Sequence, residues 1–141
     1  MADSEDEIVR EWVESIPDPD RLFMRVPLQW LPSGQLHPNV FREIEGAISA
    51  DWERYSIPRE TRLRARNPSQ SGIIELIAGE VRSIESLEVE HEPLLSNRAH
   101  SGIHGLSKAG SLPGEESKTK RRLLLFNLLR GWSIHPSEVI T

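Results

Sequence analysis

A nearly continuous apolar run at residues 72–78 constrains the fold of this chain more than any other segment. It reads Gly-Ile-Ile-Glu-Leu-Ile-Ala, which is too short for a typical helix and of a usual length for a strand. Its apolar residues do not alternate with polar ones, a pattern typical of a strand that is covered on both faces. We therefore predict a β-sheet in which this segment occupies a central position.

Further short strands are predicted by composition and by alternation. The clearest alternation is at residues 86–91, where Leu87, Val89 and His91 fall on one face and acidic residues fall on the other. The other predicted strands are 22–26, 46–52 and 99–104. Together with predicted helices, this pattern indicates the α+β class: a small mixed or antiparallel sheet of four to five short strands, with helices at both termini.

Two helices are predicted near the ends of the chain. Residues 4–16 begin with the capping-box pattern, Ser4 followed by Glu7, and their apolar residues recur every four positions. A second helix is predicted at 115–131, with acidic residues in its first turn. We expect the leucine-rich second half of this helix to be buried and its basic first half, 118–122, to be exposed.

Length and charge describe the organisation of the chain. A chain of 141 residues predicts a single domain, 1–141. Its amino-terminal helical region, 1–20, carries eight acidic residues and one arginine, a net charge of −7, whereas the whole chain carries −5. Residues 106–114 are rich in glycine and serine and predict a flexible loop.

The composition excludes several classes of protein. The chain has no cysteine, so a disulfide framework, a thiolate metal site and cysteine catalysis are excluded. Its first residues are acidic, unlike those of a signal peptide. Its longest strongly apolar run, 123–126, is far shorter than a membrane span. We expect a cytoplasmic protein that makes no contact with a membrane.

Three of the five histidines lie close together, at His91, His100 and His104. On one strand, His100 and His104 would be about 13 Å apart. That separation is too large for one ion unless the chain turns at Gly102, so we predict no bound metal and no cofactor. His100 suits acid–base chemistry. Alternatively, it is a partly buried histidine whose ring is hydrogen-bonded by the main chain.

Residues from three segments could accompany His100 in a site. Asp51 could orient a histidine, as carboxylates commonly do. Arg25 or Arg98 could bind an anion through the guanidinium group. The catalytic candidates are therefore His100, Asp51 and Ser49, and the ligand-binding candidates are Arg25, Asn97 and Arg98.

The segment around His100 follows the pattern Asn-x-Ala-His-x-x-Ile/Val-x-Gly, with Asn97, Ala99, His100, Ile103 and Gly105 at the specified positions. Upstream are Arg-Val at 25–26, Phe at 41, Ser-x-Asp at 49–51 and Gly-Glu-Val-Arg at 79–82. With these motifs, which span most of 20–132, the chain resembles a group of small uncharacterised prokaryotic proteins. The resemblance implies that His100 matters more than His91 or His104, and Arg98 stands where the group has proline.

Two functions remain open from the sequence. The first is a small accessory or adaptor protein that binds a protein partner or forms a homo-oligomer, because a single small domain would leave some of its apolar surface uncovered. The second is a small enzyme that acts on a phosphate-containing or nucleic-acid substrate, with His100 as the acid or base. Nucleic acid could also contact the basic segments that run from Arg59 to Arg66 and from Lys118 to Arg122. Neither segment has the interleaved aromatic residues that stack on bases.

Overall fold

All of the predicted strands form, and a sixth strand joins them after the last helix. The computed structural model describes residues 4–109 and 112–140. Its strands are β1 (Arg21–Pro27), β2 (Ala47–Trp52), β3 (Ser71–Ile77), β4 (Glu88–His91), β5 (His100–His104) and β6 (Trp132–Ile134). Its α-helices are α1 (Glu5–Glu11), α2 (Pro58–Leu63), α3 (Ala78–Arg82) and α4 (Gly114–Leu128). Short 3₁₀ helices lie at Leu28–Trp30, Pro32–Gly34, Pro38–Val40 and Pro68–Gln70.

The strands form one antiparallel sheet in the order β4-β5-β2-β1-β3-β6. The α+β class and the antiparallel arrangement are thus confirmed. The expected number of four to five strands is too low, because β6 has only three residues and is too short to show alternation. The apolar run in β3 lies inside the sheet, since it pairs with β1 at seven positions and with β6 on its other side. It is one strand from the edge rather than at the centre.

Alternation along the strands gives the sheet two different faces. On the apolar face, residues such as Leu22, Ile48 and Ile103 join one hydrophobic core with residues of α3 and α4. The residues between them point to the opposite side, which we call the polar face, and include Arg25 of β1 and Asp51 of β2. Helix α2 packs against β1 and β3. The polar face therefore holds most of the candidate site residues.

The helices at the two ends differ from expectation. The cap of α1 forms as predicted, since the Ser4 hydroxyl accepts the Glu7 main-chain N–H at 3.2 Å, but the helix ends at Glu11. Helix α4 lies close to the expected 115–131 but is followed by β6. The expectation of a helix at each terminus is therefore wrong at the carboxyl end. There Gly131, at a φ of 106°, allows the chain to turn back towards β3. The loop expected at 106–114 lies partly outside the described residues.

The buried side of α4 is not its leucine-rich side. Ser117, Arg121 and Leu125 are buried and lie four residues apart, on the one side of the helix that meets the core. Leu123 is 51% exposed, so the expectation of a buried second half and an exposed basic half is wrong. The Arg121 guanidinium is buried because it donates to three main-chain carbonyls, those of Gly105, Leu106 and Lys108.

The basic segment 59–66 also turns one arginine inward. Arg62 is buried and donates to the main-chain carbonyls of Pro68, Ser71, Pro136 and Glu138. These bonds connect α2 to the start of β3 and to the chain after β6. Arg62 and Arg121 therefore stabilise the fold and add little to the exposed positive charge. No helix within 4–109 and 112–140 has the length and apolar character needed to cross a bilayer.

Replacing Arg121 with methionine is expected to lower the free energy of unfolding by about 2–3 kcal/mol, because buried carbonyls lose a charged donor. Methionine keeps most of the side-chain length. Lys120→Met is the matched control on the same helix, since Lys120 is exposed, and should change stability by less than about 0.5 kcal/mol. Urea denaturation followed by tryptophan fluorescence measures both. Equal losses in the two variants would contradict a stabilising role for Arg121.

Candidate functional site

A cleft opens in the sheet where β1 and β2 separate. The two strands pair at two positions, of which the second joins Phe23 to Asp51. Beyond that pair, β1 continues for four residues, and β2 begins four residues before Asp51. Segment 28–44 crosses from the end of β1 to the start of β2 and supplies part of the cleft wall. The cleft has a volume of about 760 Å³.

The cleft is positively charged and partly apolar. Three arginines line it, Arg25, Arg42 and Arg66, and none of its described lining residues is acidic. The Arg42 guanidinium lies 4.6 Å from the centre of the Trp30 ring, a cation–π contact. Arg66 is exposed and forms no ion pair with a described residue. The apolar part of the lining includes Leu28, Trp30, Val40, Ile44 and Ile48.

Asp51 lies in the last β1–β2 pair, where the cleft begins, and has 0% of its surface exposed. Its Oδ2 accepts from Arg64 at 3.0 Å and from Arg25 at 3.4 Å. Its Oδ1 accepts from the side-chain amide of Asn97 at 2.8 Å. Two guanidinium groups share this one carboxylate, and Arg64 also pairs with Glu60 at 3.9 Å. The contact with Asp51 also holds Arg25, which is a quarter exposed, at the cleft wall.

The Asn97 side chain is positioned by a tight turn between β4 and β5. Leu94 and Asn97 exchange main-chain hydrogen bonds at 3.0 Å each. The Asn97 side-chain oxygen accepts the Ala99 N–H at 3.1 Å, a local bond typical of asparagine in turns. Its amide nitrogen is thereby directed at Asp51, and the turn, β2 and α2 are connected through one carboxylate.

His100 is the cross-strand neighbour of Asp51 in the β2–β5 pairing. Its Nδ1 donates to the main-chain carbonyl of Glu92 at 2.9 Å, so Nε2 is the unprotonated nitrogen of the neutral ring. The Glu92 carboxylate accepts from His104 at 2.9 Å and lies against Gly102, where a Cβ atom would overlap it. His100 does not line the cleft. The described residues contain no group of three side chains arranged to hold a metal ion.

Arg98 and His91 do not line the cleft but contact the segment between α1 and β1. Arg98 places its guanidinium over the rings of Trp12, at 5.0 Å, and Tyr55, at 4.7 Å. His91 is buried on the apolar face, where its Nδ1 accepts the Glu14 main-chain N–H at 3.0 Å. Its Nε2 then carries the hydrogen and donates to the Arg98 carbonyl at 2.7 Å.

The structure thus brings some of the candidate site residues together and shows further residues beside them. Arg25, Asp51 and Asn97 form one hydrogen-bonded cluster, and Ser49 lies with Arg25 in the cleft wall. The residues that sequence reasoning did not assign to the site are Arg64, Arg66, Arg42 and Trp30. Arg64 and Arg66 were visible as part of a basic segment, but no local pattern indicated that the chain after α2 approaches β2.

No family model matches the chain, and neither a curated protein nor a solved structure matches it. The function therefore has to be inferred from the chemistry of the cleft and of the residues that support it.

Proposed function

We propose that this protein is a small accessory or adaptor protein that binds a protein partner through the cleft between β1 and β2. The observation that supports the proposal is the lining, which combines three arginines and exposed apolar side chains with no acidic residue among its described members. A partner segment that is acidic and partly apolar would be complementary to it.

The charge of the cleft contrasts with that of the chain. The whole chain carries −5, yet the cleft has only positive side chains among its charged lining residues. A local patch of opposite sign directs an acidic segment to one place on the surface. Arginine and tryptophan are also the side chains most enriched at energetically important interface positions. Arg42 stacked on Trp30 supplies both in one contact.

The buried carboxylate supports binding because it limits the motion of Arg25. An arginine side chain loses conformational entropy when it is immobilised by a ligand. The bond from Arg25 to Asp51 restricts that freedom before a partner arrives. Asp51 itself is inaccessible and is neutralised by its donors, which suits a positioning role better than proton transfer.

An enzyme with His100 as its acid or base receives less support from this geometry. His100 lies beside Asp51 on the sheet, but the cleft is lined by Arg25 and Ser49 and not by His100 or Asp51. A general base has to reach the proton that it abstracts. The arginines could bind an anion directly, because guanidinium groups are permanently charged and no proton has to be transferred. The cleft therefore favours recognition over catalysis.

Exposed apolar residues elsewhere are consistent with an adaptor. Leu123 and Leu124 of α4 are partly exposed, as is Ile140, which is 39% exposed. Leu128, Leu129 and Trp132 are only partly buried against the core. Exposed apolar side chains are candidates for contact with another protein where they form a patch.

Selection from a random peptide library displayed on phage tests the proposal. Peptides enriched on the unmodified protein are expected to contain acidic residues next to apolar ones. Arg66→Glu should weaken their binding about tenfold or more, because the exposed guanidinium is replaced by a like charge. Lys120→Glu makes the same charge change on α4, away from the cleft lining, and should retain binding. Enrichment of basic peptides, or equal binding to both variants, would contradict the proposal.

A further inference from the structure

The pairing of β1 with β2 stops after Phe23 and Asp51, although both strands continue beyond that pair. We infer that the partner segment binds there as an extended strand, inserted between β1 and β2 and hydrogen-bonded to both. This inference rests on the proposed function and specifies how the acidic segment is held. Strand addition is a common mode of peptide recognition, in which main-chain bonds supply affinity and side chains supply specificity.

The directions of the main-chain groups follow from the hydrogen bonds on either side of β2. Trp52 donates its N–H to Ala99, on the β5 side, at 2.8 Å. Glu53 donates its N–H to Arg21, on the β1 side, at 3.0 Å. Because successive residues of a strand point their main-chain groups in opposite directions, Ser49 points to the β1 side, like Glu53.

The same alternation applies to β1. Arg21 accepts from the β2 side, so Arg25, four residues further on, also points its N–H and C=O towards β2. Continuing the register of Phe23 with Asp51 would place Arg25 opposite Ser49, yet the pairing stops before that position. The N–H and C=O groups of both residues therefore face the cleft, which both also line. A third strand between them could bond with both edges.

The cleft between β1 and β2 is closed at one end. Ala47 and Ile44 exchange main-chain hydrogen bonds, at 2.8 and 3.2 Å, across the turn at Glu45 and Gly46. On the opposite strand, Pro27 has no N–H to donate. The pairing available to an inserted segment is therefore short and centred on Arg25 and Ser49.

The outer edges of the sheet are less suitable for an acidic strand. The free edge of β4 carries Glu88 and Glu90, both exposed, and these would repel acidic side chains. The other edge strand, β6, is only three residues long. Charged and short edge strands are common ways of preventing unwanted pairing. Only the opening between β1 and β2, among these three places in the described sheet, combines positive side chains with main-chain groups that face an unpaired neighbour.

The two faces of the sheet also specify the sequence pattern of the partner. Side chains of an inserted strand would alternate between the faces. On the polar face they would meet Arg25 and Arg66. On the apolar face they would have to join the core beside Met24 and Ile48, which are only 3% and 1% exposed in the free chain. The expected ligand is thus a segment in which acidic residues alternate with apolar ones.

A fluorescently labelled synthetic peptide that alternates glutamate with valine serves as the probe for the full-length chain. Fluorescence anisotropy should show binding, and Arg66→Glu should weaken it about tenfold or more. Two N-methylated versions keep every side chain: one carries methyl groups on the valine amides and the other on the glutamate amides. Each blocks hydrogen bonds at one edge of the peptide, and both should bind about tenfold more weakly. In the complex, amide exchange measured by NMR should be slower at Arg25 and Ser49.

The outcomes separate this inference from the proposed function. If the peptide binds in a manner sensitive to Arg66→Glu, but the N-methylated versions bind equally well and the amides of Arg25 and Ser49 stay unprotected, insertion is wrong and the acidic-ligand function stands. Weakening by only one methylation pattern would show addition to a single edge and would also overturn insertion. If the probe peptide does not bind, strand insertion is wrong. The proposed adaptor function is overturned only if the phage selection also yields no binding peptide. If the chain forms a dimer and the peptide dissociates it, the natural occupant of the cleft is a second copy of the chain. That result would overturn the choice of a separate partner as the occupant.

Discussion

Asp51→Ala is expected to lower the free energy of unfolding by about 3 kcal/mol or more. The substitution removes a fully buried carboxylate that accepts from Arg25, Arg64 and Asn97. Removing one partner of a buried ion pair is strongly destabilising, because it leaves the other charges without compensation in a poorly solvated place. Both guanidinium groups are partly exposed, so water can solvate them once the carboxylate is removed. We therefore expect a loss near the lower end of the range of about 3–5 kcal/mol that is typical of broken buried pairs. Urea denaturation provides the measurement.

Asp18→Ala is the matched control for the buried carboxylate. Asp18 also pairs with an arginine, Arg82, at 2.7 Å, but its side chain is 73% exposed. Exposed pairs contribute about 0–1 kcal/mol. Asp51→Asn adds a comparison that keeps the shape and removes the charge, and its loss should lie between those of the two alanine variants. If Asp51→Ala were no more destabilising than Asp18→Ala, the carboxylate would not organise the site. Because Arg25 depends on Asp51 for its position, Asp51→Asn should also weaken peptide binding in the folded protein.

Gly105→Ala is expected to cost about 3 kcal/mol or more of stability. Gly105 follows β5 with a φ of 101°, and a Cβ atom there would overlap the main-chain carbonyl oxygen of Ser86. A non-glycine residue in such a conformation costs about 1–3 kcal/mol through backbone strain alone. The overlap adds to that cost, because the obstructing atom belongs to the main chain and cannot rotate away. Thermal unfolding followed by circular dichroism measures the loss.

Gly131→Ala separates the two contributions. Gly131 has nearly the same φ, 106°, but nothing lies within 4 Å of the position that a Cβ atom would occupy. Its alanine variant should show the strain alone, about 1–2 kcal/mol. A loss in Gly105→Ala that does not exceed the loss in Gly131→Ala would mean that the chain after β5 moves away from Ser86 easily.

The motif around His100 illustrates how far sequence reasoning extends. The motif residues with clear packing roles are Asn97, which bonds to Asp51, Ala99 and Ile103, which are fully buried, and Gly105, which requires its positive φ. Four of its five specified positions therefore have an architectural explanation. The role of His100 stays a prediction, although the bond from its Nδ1 to the Glu92 carbonyl agrees with the alternative of a partly buried histidine held by the main chain.

The leucine-rich part of α4 shows why some expectations failed. Composition indicated that these leucines were buried, but burial depends on which side of the helix meets the sheet. Arg121 lies on that side because three carbonyls near the end of β5 accept its donors. No local pattern predicts such acceptors, since they belong to a different segment of the chain.

The sequence by itself determined the α+β class, the positions of five of the strands and the distribution of charge, because these depend on local periodicity and composition. It also named Arg25, Ser49, Asp51 and Asn97. Only the tertiary structure decided that Arg25 and Ser49 line one cleft and that Asp51 and Asn97 form a hydrogen-bonded cluster with Arg25. The reason is physical: Arg25 and Asn97 are 26 and 46 positions from Asp51, and only the order and register of the sheet bring them together. The separation of β1 from β2 was equally invisible in the sequence, since it depends on where two distant strands stop pairing.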